Sequence, residues 1–473
     1  MRRLWAVART TLREAVRTRT AAVILVTLLA VVVLSPFLLR GTGKLAERVQ
    51  LVLTYSLGAV GFLLALLTIF LSTSTLAGDL RDKRIETIAT KPIARWQIVV
   101  GKWLGVMLLN VALVLVSGVV SYMLVRHVIG SPSVAPDDEE RQQLINEVYT
   151  ARHTVDPTLP DFEVDVDREI RARREAGEMP REWTEAEFRK ILRTRLRTHY
   201  DSLGPGEVRG RVMERVMPAS RDEQLFLRYK VLASGPREER PADKTVLLRW
   251  VVSPTNRPID PDAIIFETRD TMDDFHEVSL PAQVVGPDNR VYIACGNVDP
   301  RLVDVGFPTE AGVQLLYTAG TFEGNFVRTM LLIIVRLAFL AALALAAAAV
   351  LSFPVASLFT VFVFMCALLV NHFMAIASPI VGTEERPTVT GTEREPIYET
   401  PAFHRVIVRA VAAMVPNFGR YDGVGELATG KIVLWRLVVR GLVVVGAIYG
   451  GVVMALGCLY FRARELADVG PSG

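Results

Sequence analysis

Six stretches of this chain are long and apolar enough to cross a bilayer, and they constrain everything else. They run at about 21–39, 51–77, 98–125, 327–352, 355–378 and 439–461. A helix rising about 1.5 Å per residue needs about 20 apolar residues to cover the hydrocarbon core. No Asp, Glu, Lys or Arg occurs between Arg336 and Glu384. That predicts a hairpin of two spans turning at Ser352, Phe353 and Pro354, where proline ends one helix. The expected fold class is an α-helical membrane protein with six transmembrane helices. The first stretch does not read as a signal peptide: its basic leader and its apolar core are too long, and no small-x-small site follows.

Charge divides the chain in two. Residues 127–325 carry 26 Lys and Arg against 36 Asp and Glu, a net of −10, while the remainder carries 28 against 14, a net of +14. An acidic domain is therefore set into a basic, apolar frame. With the N-terminus inside, segments 1–20, 78–102 and 462–473 hold 14 Lys and Arg in 57 residues. The opposite segments 40–50 and 379–438 hold 10 in 71. Positive charge favours the cytoplasmic side, so both termini are expected in the cytoplasm and residues 127–325 outside it. Three scattered cysteines, Cys295, Cys366 and Cys458, exclude a disulfide-stapled scaffold and a cysteine-rich zinc site.

The organisation expected along the chain begins with a cytoplasmic elbow helix at 1–20. Its Leu4, Ala8, Leu12 and Ala15 share one face and its arginines take the rest, as in a helix lying at the membrane surface. Three spans fill 21–126, with a cytoplasmic loop at 78–102. Residues 127–325 form an extracytoplasmic α+β domain. Its first part, 136–200, is polar and helical. From about Gln224 short β-rich runs (LFLRYKVL, TVLLRWVV, AIIFET, FHEVSLPAQVV, RVYIAC, VQLLYT) predict a β-sandwich-like part. Pro287, Asp288 and Asn289 read as a hairpin turn, and Cys295, within RVYIAC, as buried. Two spans fill 326–378. An outer loop at 379–438 carries an amphipathic helix at 402–415, the last span is 439–461, and 462–473 is a cytoplasmic tail.

The loop between the second and third spans is the most informative segment. Asp79, Arg81, Asp82, Arg84 and Glu86 open a short charged helix that Pro92 ends, with Ile85 and Ile88 as apolar knobs. Such a helix suits docking into a groove of a cytoplasmic partner; an ordinary basic loop has the same composition. The segment resembles the coupling region of ABC-2 type transporter permeases, which runs from an acidic start to a P-x-x-R and GK-x-x-G ending. Here those are Lys91-Pro92 through Arg95, and Gly101-Lys102 through Gly105. ARTTLREAVRTR (8–19) is similar to that family's elbow helix. VPNFGRYDG (415–423) and FRARELAD (461–468) look like its outer-loop and tail motifs.

The resemblance covers the membrane part and implies a subgroup with a large insertion between the third and fourth spans. It implies a cytoplasmic ABC ATPase on a separate subunit, which binds ATP and Mg, and a second permease copy or a sister permease in the bacterial inner membrane. It assigns ATPase coupling to Asp79, Arg81, Asp82, Arg84, Glu86, Lys91, Pro92, Arg95, Gly101 and Lys102. No cofactor is expected in this chain, and no nucleic acid. GELATGK (425–431) lacks the Ser or Thr of a P-loop, and there is no HExxH or GxSxG. The six histidines show no metal spacing, so enzymatic activity is not expected.

Polar residues inside the spans form the second set of candidates. Asn110, Arg336, Asn371 and His372 either line a translocation path or make interhelical contacts, because a charge in a span must face protein or a wet cavity. Arg336 can also snorkel to an interface. Two functions fit this pattern: a permease driven by a partner ATPase, or a non-transporting signalling or scaffold protein whose outer domain binds a partner.

Overall fold

The computed structural model describes residues 2–17, 45–82, 94–130, 149–177, 185–233, 243–256, 260–308, 312–377 and 415–463. Between 17 and 45 it adds Val23, Val26, Thr27, Ala30, Val31 and Leu34. Most of the first apolar stretch, loop residues 83–93, the amphipathic segment 402–414 and the tail from 464 lie outside these.

In chain order, helices α1 (Arg2–Arg17), α2 (Leu45–Arg81) and α3 (Arg95–Gly130) come first. Strands β1 (Thr150–Val155) and β2 (Pro157–Thr158) precede helices α4 (Phe162–Glu175) and α5 (Glu185–Asp201). Then follow β3 (Ser202–Leu203), β4 (Val208–Met213), β5 (Gln224–Lys230), β6 (Leu232–Ala233), β7 (Thr245–Ser253) and β8 (Ile264–Thr271). After β9 (Phe275–Pro281), β10 (Val291–Asn297), β11 (Val305–Gly306) and β12 (Val313–Thr321), the chain returns to helix. These last helices are α6 (Phe322–Val350), α7 (Phe353–Ala377), the short α8 (Val424–Ala428) and α9 (Trp435–Ala463). The described residues form two compact units, one helical (α1–α3, α6–α9) and one built on the sheets with α4 and α5.

In the helical unit, α2, α3, α6, α7 and α9 are long and apolar enough to cross a membrane. The chain is thus a multi-pass membrane protein by its helices. α6 is the hub: 67% of its apolar window is buried, against 33% for α7 and 17% for α9. α7 and α9 turn Leu358, Phe362, Leu456 and Leu459 outward, an apolar surface suited to lipid contact. The break between α6 and α7 falls at Leu351 and Ser352. Pro354 sits inside the first turn of α7 instead of ending α6, a position where its missing N–H costs nothing.

The larger departure concerns residues 415–434, expected as part of an outer loop. Phe418, Tyr421, Val424, Leu427, Ala428 and Val433 are buried in the same core as α2, α3 and α6. Burying those side chains supplies the free energy that holds a short polar-looking segment in place.

In the sheet unit the six β-rich runs become β5, β7, β8, β9, β10 and β12. One sheet has the order β1-β12-β5-β9, a second β2-β4-β10-β7-β8, and a small third β3-β11-β6. Side chains at alternate positions point into one shared core. Leu225, Leu227 and Tyr229 come from the first sheet, and Val246, Leu248, Trp250, Val252, Ile293 and Cys295 from the second. Burial pushes the Cys295 thiol up to about 12. Two sheets over one core agree with the expected sandwich-like part, but β1 and β2 stand ahead of α4 and α5, so helices do not come first. Asn289 does turn, at φ 58°. That turn leads from β9 to β10, which lie in different sheets, so it is no hairpin.

Candidate functional site

One face of α6 grips the folded-back segment. Asn325, Thr329, Leu332 and Arg336 recur at i, i+4, i+7 and i+11, which places them on one helical stripe. Asn325 Nδ2 donates to Lys431 O at 2.7 Å, and its Oδ1 accepts from Val433 N at 2.6 Å. Thr329 Oγ1 donates to Gly423 O at 3.1 Å. A Cβ at Gly423 would meet Leu332 Cδ1 and Thr329 Oγ1, both at 3.1 Å, so glycine permits that approach. Off the stripe, Arg328 Nη1 donates to Val433 O at 3.1 Å, and its guanidinium lies 5.1 Å from the Trp435 ring centre.

Arg336, fourteen residues after the start of α6, closes this grip. Its Nη2 donates to Phe418 O at 3.0 Å, Tyr421 O at 2.8 Å and Asp422 Oδ1 at 2.9 Å. The Phe418 ring lies 5.8 Å from the guanidinium carbon. Its Nε is shut from solvent without a hydrogen-bond partner among the described residues. Its contacts are with a folded-back segment, where sequence reasoning weighed a path or a neighbouring helix.

Arg336 and Asp422 also line a cavity of about 320 Å³ between α2, α6, α7 and α8. Its other walls are mostly apolar, including Phe62, Leu340 and Phe364, and Gly58 and Gly61 leave its α2 side open. An ion pair on the wall of an apolar cavity can hold the polar end of an amphiphile, or a few waters.

The coupling candidates separate into three groups. Asp79, Gly101 and Lys102 are internal contacts. Lys102 Nζ lies 2.6 Å from Asp79 Oδ2 and donates to Thr75 O at 2.9 Å, joining α2 to α3. A Cβ at Gly101 would stand 2.8 Å from Val7 Cβ, and one at Gly105 2.6 Å from Ala8 O. The GKWLG stretch is thus also a small-x-x-x-small seat for α1, whose buried face is Ala8, Thr11 and Ala15. Arg81, Asp82 and Arg95 stay near the surface. Arg81 Nε pairs with Asp82 Oδ1 at 3.2 Å, and Arg95 Nη1 donates to Arg462 O at 2.8 Å. Arg84, Glu86, Lys91 and Pro92 lie outside the described residues.

Of the remaining intramembrane candidates, Asn110 is fully buried and accepts from Thr68 Oγ1 at 3.1 Å, an α2–α3 hydrogen bond. Asn371 and His372 are helical positions of α7 whose side chains lie outside the described residues. Sequence reasoning did not single out Asn325 or Thr329, and it took in Asp422 only as part of VPNFGRYDG, without a role of its own. Asp422 carried a usable signal, since an arginine within a span needs an acid or carbonyls to face.

Trp103 joins α3 to α6. Its Nε1 donates to Ala338 O at 3.0 Å, two residues beyond Arg336. The chain matches no family model, no curated protein and no solved structure.

Proposed function

We propose that this chain is the membrane subunit of an ABC-2 type exporter or a related ATP-driven machine. In this reading two permeases pair with two cytoplasmic ATPases. The first apolar stretch adds a sixth span, α1 lies as an elbow at the inner surface, and both termini face the cytoplasm. ATP-driven closure of the ATPases pushes the loop around 78–102, and α2 and α3 carry that movement inward.

The observation that supports this most is the Trp103–Ala338 hydrogen bond. It joins the end of the coupling loop to the helix that grips residues 418–433. A push on α3 thereby reaches α6 two residues from Arg336, beside the amphiphile-sized cavity. No enzymatic role is assigned to the chain itself.

Purification from its native membrane in mild detergent tests the proposal. An ATPase subunit should co-purify, and its ATP turnover should fall when Arg84 and Arg95 are reversed to Glu while the spans stay folded. If the complex holds no ATPase, or if the double reversal leaves assembly and turnover unchanged, the proposal fails. A partner bound only through residues 152–319 would point to the scaffold reading instead.

A further inference from the structure

Arg211, on β4 of the sheet unit, is buried and makes no direct ion pair among the described residues. It is 4% exposed, and its guanidinium carbon lies 4.7 Å from the Phe307 ring centre and 5.4 Å from that of Tyr200. These rings are its neighbours, and Asp201 acts on it through space without forming a direct ion pair among the described residues. Arginine is not deprotonated in proteins, and burying an unpaired charge is costly. Desolvation accordingly pulls the proton affinity of Arg211 below its ordinary value.

A second arginine stands beside the same space. Arg197, near the end of α5, has its Nε shut from solvent without a partner among the described residues. Both arginines line a cavity of about 420 Å³ whose walls include Leu159, Phe307 and Pro308. Two acids complete it, Asp156 and Asp201. Asp156 Oδ1 accepts from Gln314 Nε2 at 2.6 Å, so part of its capacity is already taken.

We infer that this cavity binds a small monocarboxylate with an apolar body, its carboxylate on Arg211 and Arg197. The planar guanidinium fork matches a carboxylate in two parallel hydrogen bonds. The aromatic and proline walls take the body. A phosphate, with more than one negative charge at neutral pH, would sit against Asp156 and Asp201, and those acids select for the single charge. This site lies wholly within the sheet unit and does not depend on the transport reading.

Titration calorimetry on the purified full chain in detergent tests it with three probes: N-acetylleucine, its uncharged amide N-acetylleucinamide, and inorganic phosphate. N-acetylleucine should bind saturably at one site per chain, and the amide, with the same body, should bind far more weakly. Arg211→Leu should weaken N-acetylleucine by roughly 10- to 100-fold, the loss of charge-assisted hydrogen bonds. Arg211→Lys, which keeps the charge but loses the fork, should fall between. Absence of saturable N-acetylleucine binding overturns the inference, as does equal binding of the amide or undiminished binding by Arg211→Leu. Phosphate binding more tightly than N-acetylleucine overturns the carboxylate assignment. If Arg211→Leu does not fold, the acid–amide comparison on the parent chain and the Arg211→Lys titration decide.

Discussion

Lys102 Nζ lies 2.6 Å from Asp79 Oδ2, and the two side chains are only 4% and 11% exposed. The pair joins α2 and α3 on either side of residues 83–93. The pair thus ties the two helices to each other close to their ends.

Removing one partner should cost more than removing both. Lys102→Met leaves a buried carboxylate and Asp79→Leu a buried ammonium, each destabilising by about 3–5 kcal/mol. The double variant replaces the pair with apolar side chains and should regain most of that. Thermal unfolding in detergent of the two single variants and the double provides the cycle. Additive losses would mean that the pair does not hold the helices together.

Gly105→Val should loosen α1 from α3. A Cβ there would stand 2.6 Å from Ala8 O, a backbone atom that cannot rotate away. Overpacking of this kind costs about 1–3 kcal/mol. Gly78→Ala is the control, since nothing lies within 4 Å of a Cβ there. Trypsin should cut at Arg13 and Arg17 sooner in Gly105→Val than in the parent, with Gly78→Ala unchanged. Equal cleavage of all three would show that α1 is held by something other than this glycine seat.

The sequence was most readable where one local force dominates. Apolar length marks α2, α3, α6, α7 and α9, and alternation marks β5, β7 and β10, because both follow from burial of neighbouring positions. β1 (TARHTV) and β4 (VRGRVM) escaped notice because arginine and histidine interrupt their apolar positions, although Arg152 and Arg211 are buried there. Gly101 and Gly105 stand where a Cβ would meet α1, a close helix contact that only the geometry displays. Arg336 announced its need for a partner, but Asp422 lies 86 residues away in a segment without helical or strand periodicity.

Acid should weaken the sheet unit around β7. Asp299 accepts from Arg301 Nε and Nη2 and from the Leu247 backbone at 2.9 Å, and the Arg301 guanidinium holds its carboxyl well below the ordinary range. A carboxyl lowered in the folded state contributes stability that is fully present above its unfolded value of about 4. That contribution is lost as pH falls below this value and through the folded one. Asp299→Ala should remove it at neutral pH, about 2 kcal/mol for charge-assisted hydrogen bonds to a partly exposed arginine. Protection factors in peptides covering Leu247, which allow for the intrinsic slowing of exchange in acid, should then fall at pH 7 in the variant, and in the parent only under acid. Unchanged exchange at pH 7 in Asp299→Ala would sink this account.

Arg336 and Asp422 separate a structural clamp from a moving one. Arg336→Leu removes the donor to Phe418 O, Tyr421 O and Asp422 Oδ1 at once. A leucine at mid-span removes an insertion penalty of roughly 2.5–3.5 kcal/mol, so the isolated helix should insert more readily. The assembled unit should nevertheless be less stable by about 2–3 kcal/mol, since carbonyls and a carboxylate are left without partners. Asp422→Asn keeps an acceptor and both carbonyl contacts, and its side chain is 43% exposed, so its loss should stay under about 1 kcal/mol. If the grip is only structural, Arg336→Leu should lower membrane level and Asp422→Asn should be silent in every assay. If the grip moves during the transport cycle, Asp422→Asn should fold at the parent level yet alter ATP-dependent turnover, because the ion pair that re-forms in each cycle is weakened. Membrane abundance, thermal midpoint and turnover measured on both variants separate these outcomes. Parent values throughout for Arg336→Leu would mean that the core side chains Phe418, Tyr421 and Val433 hold the segment without the arginine.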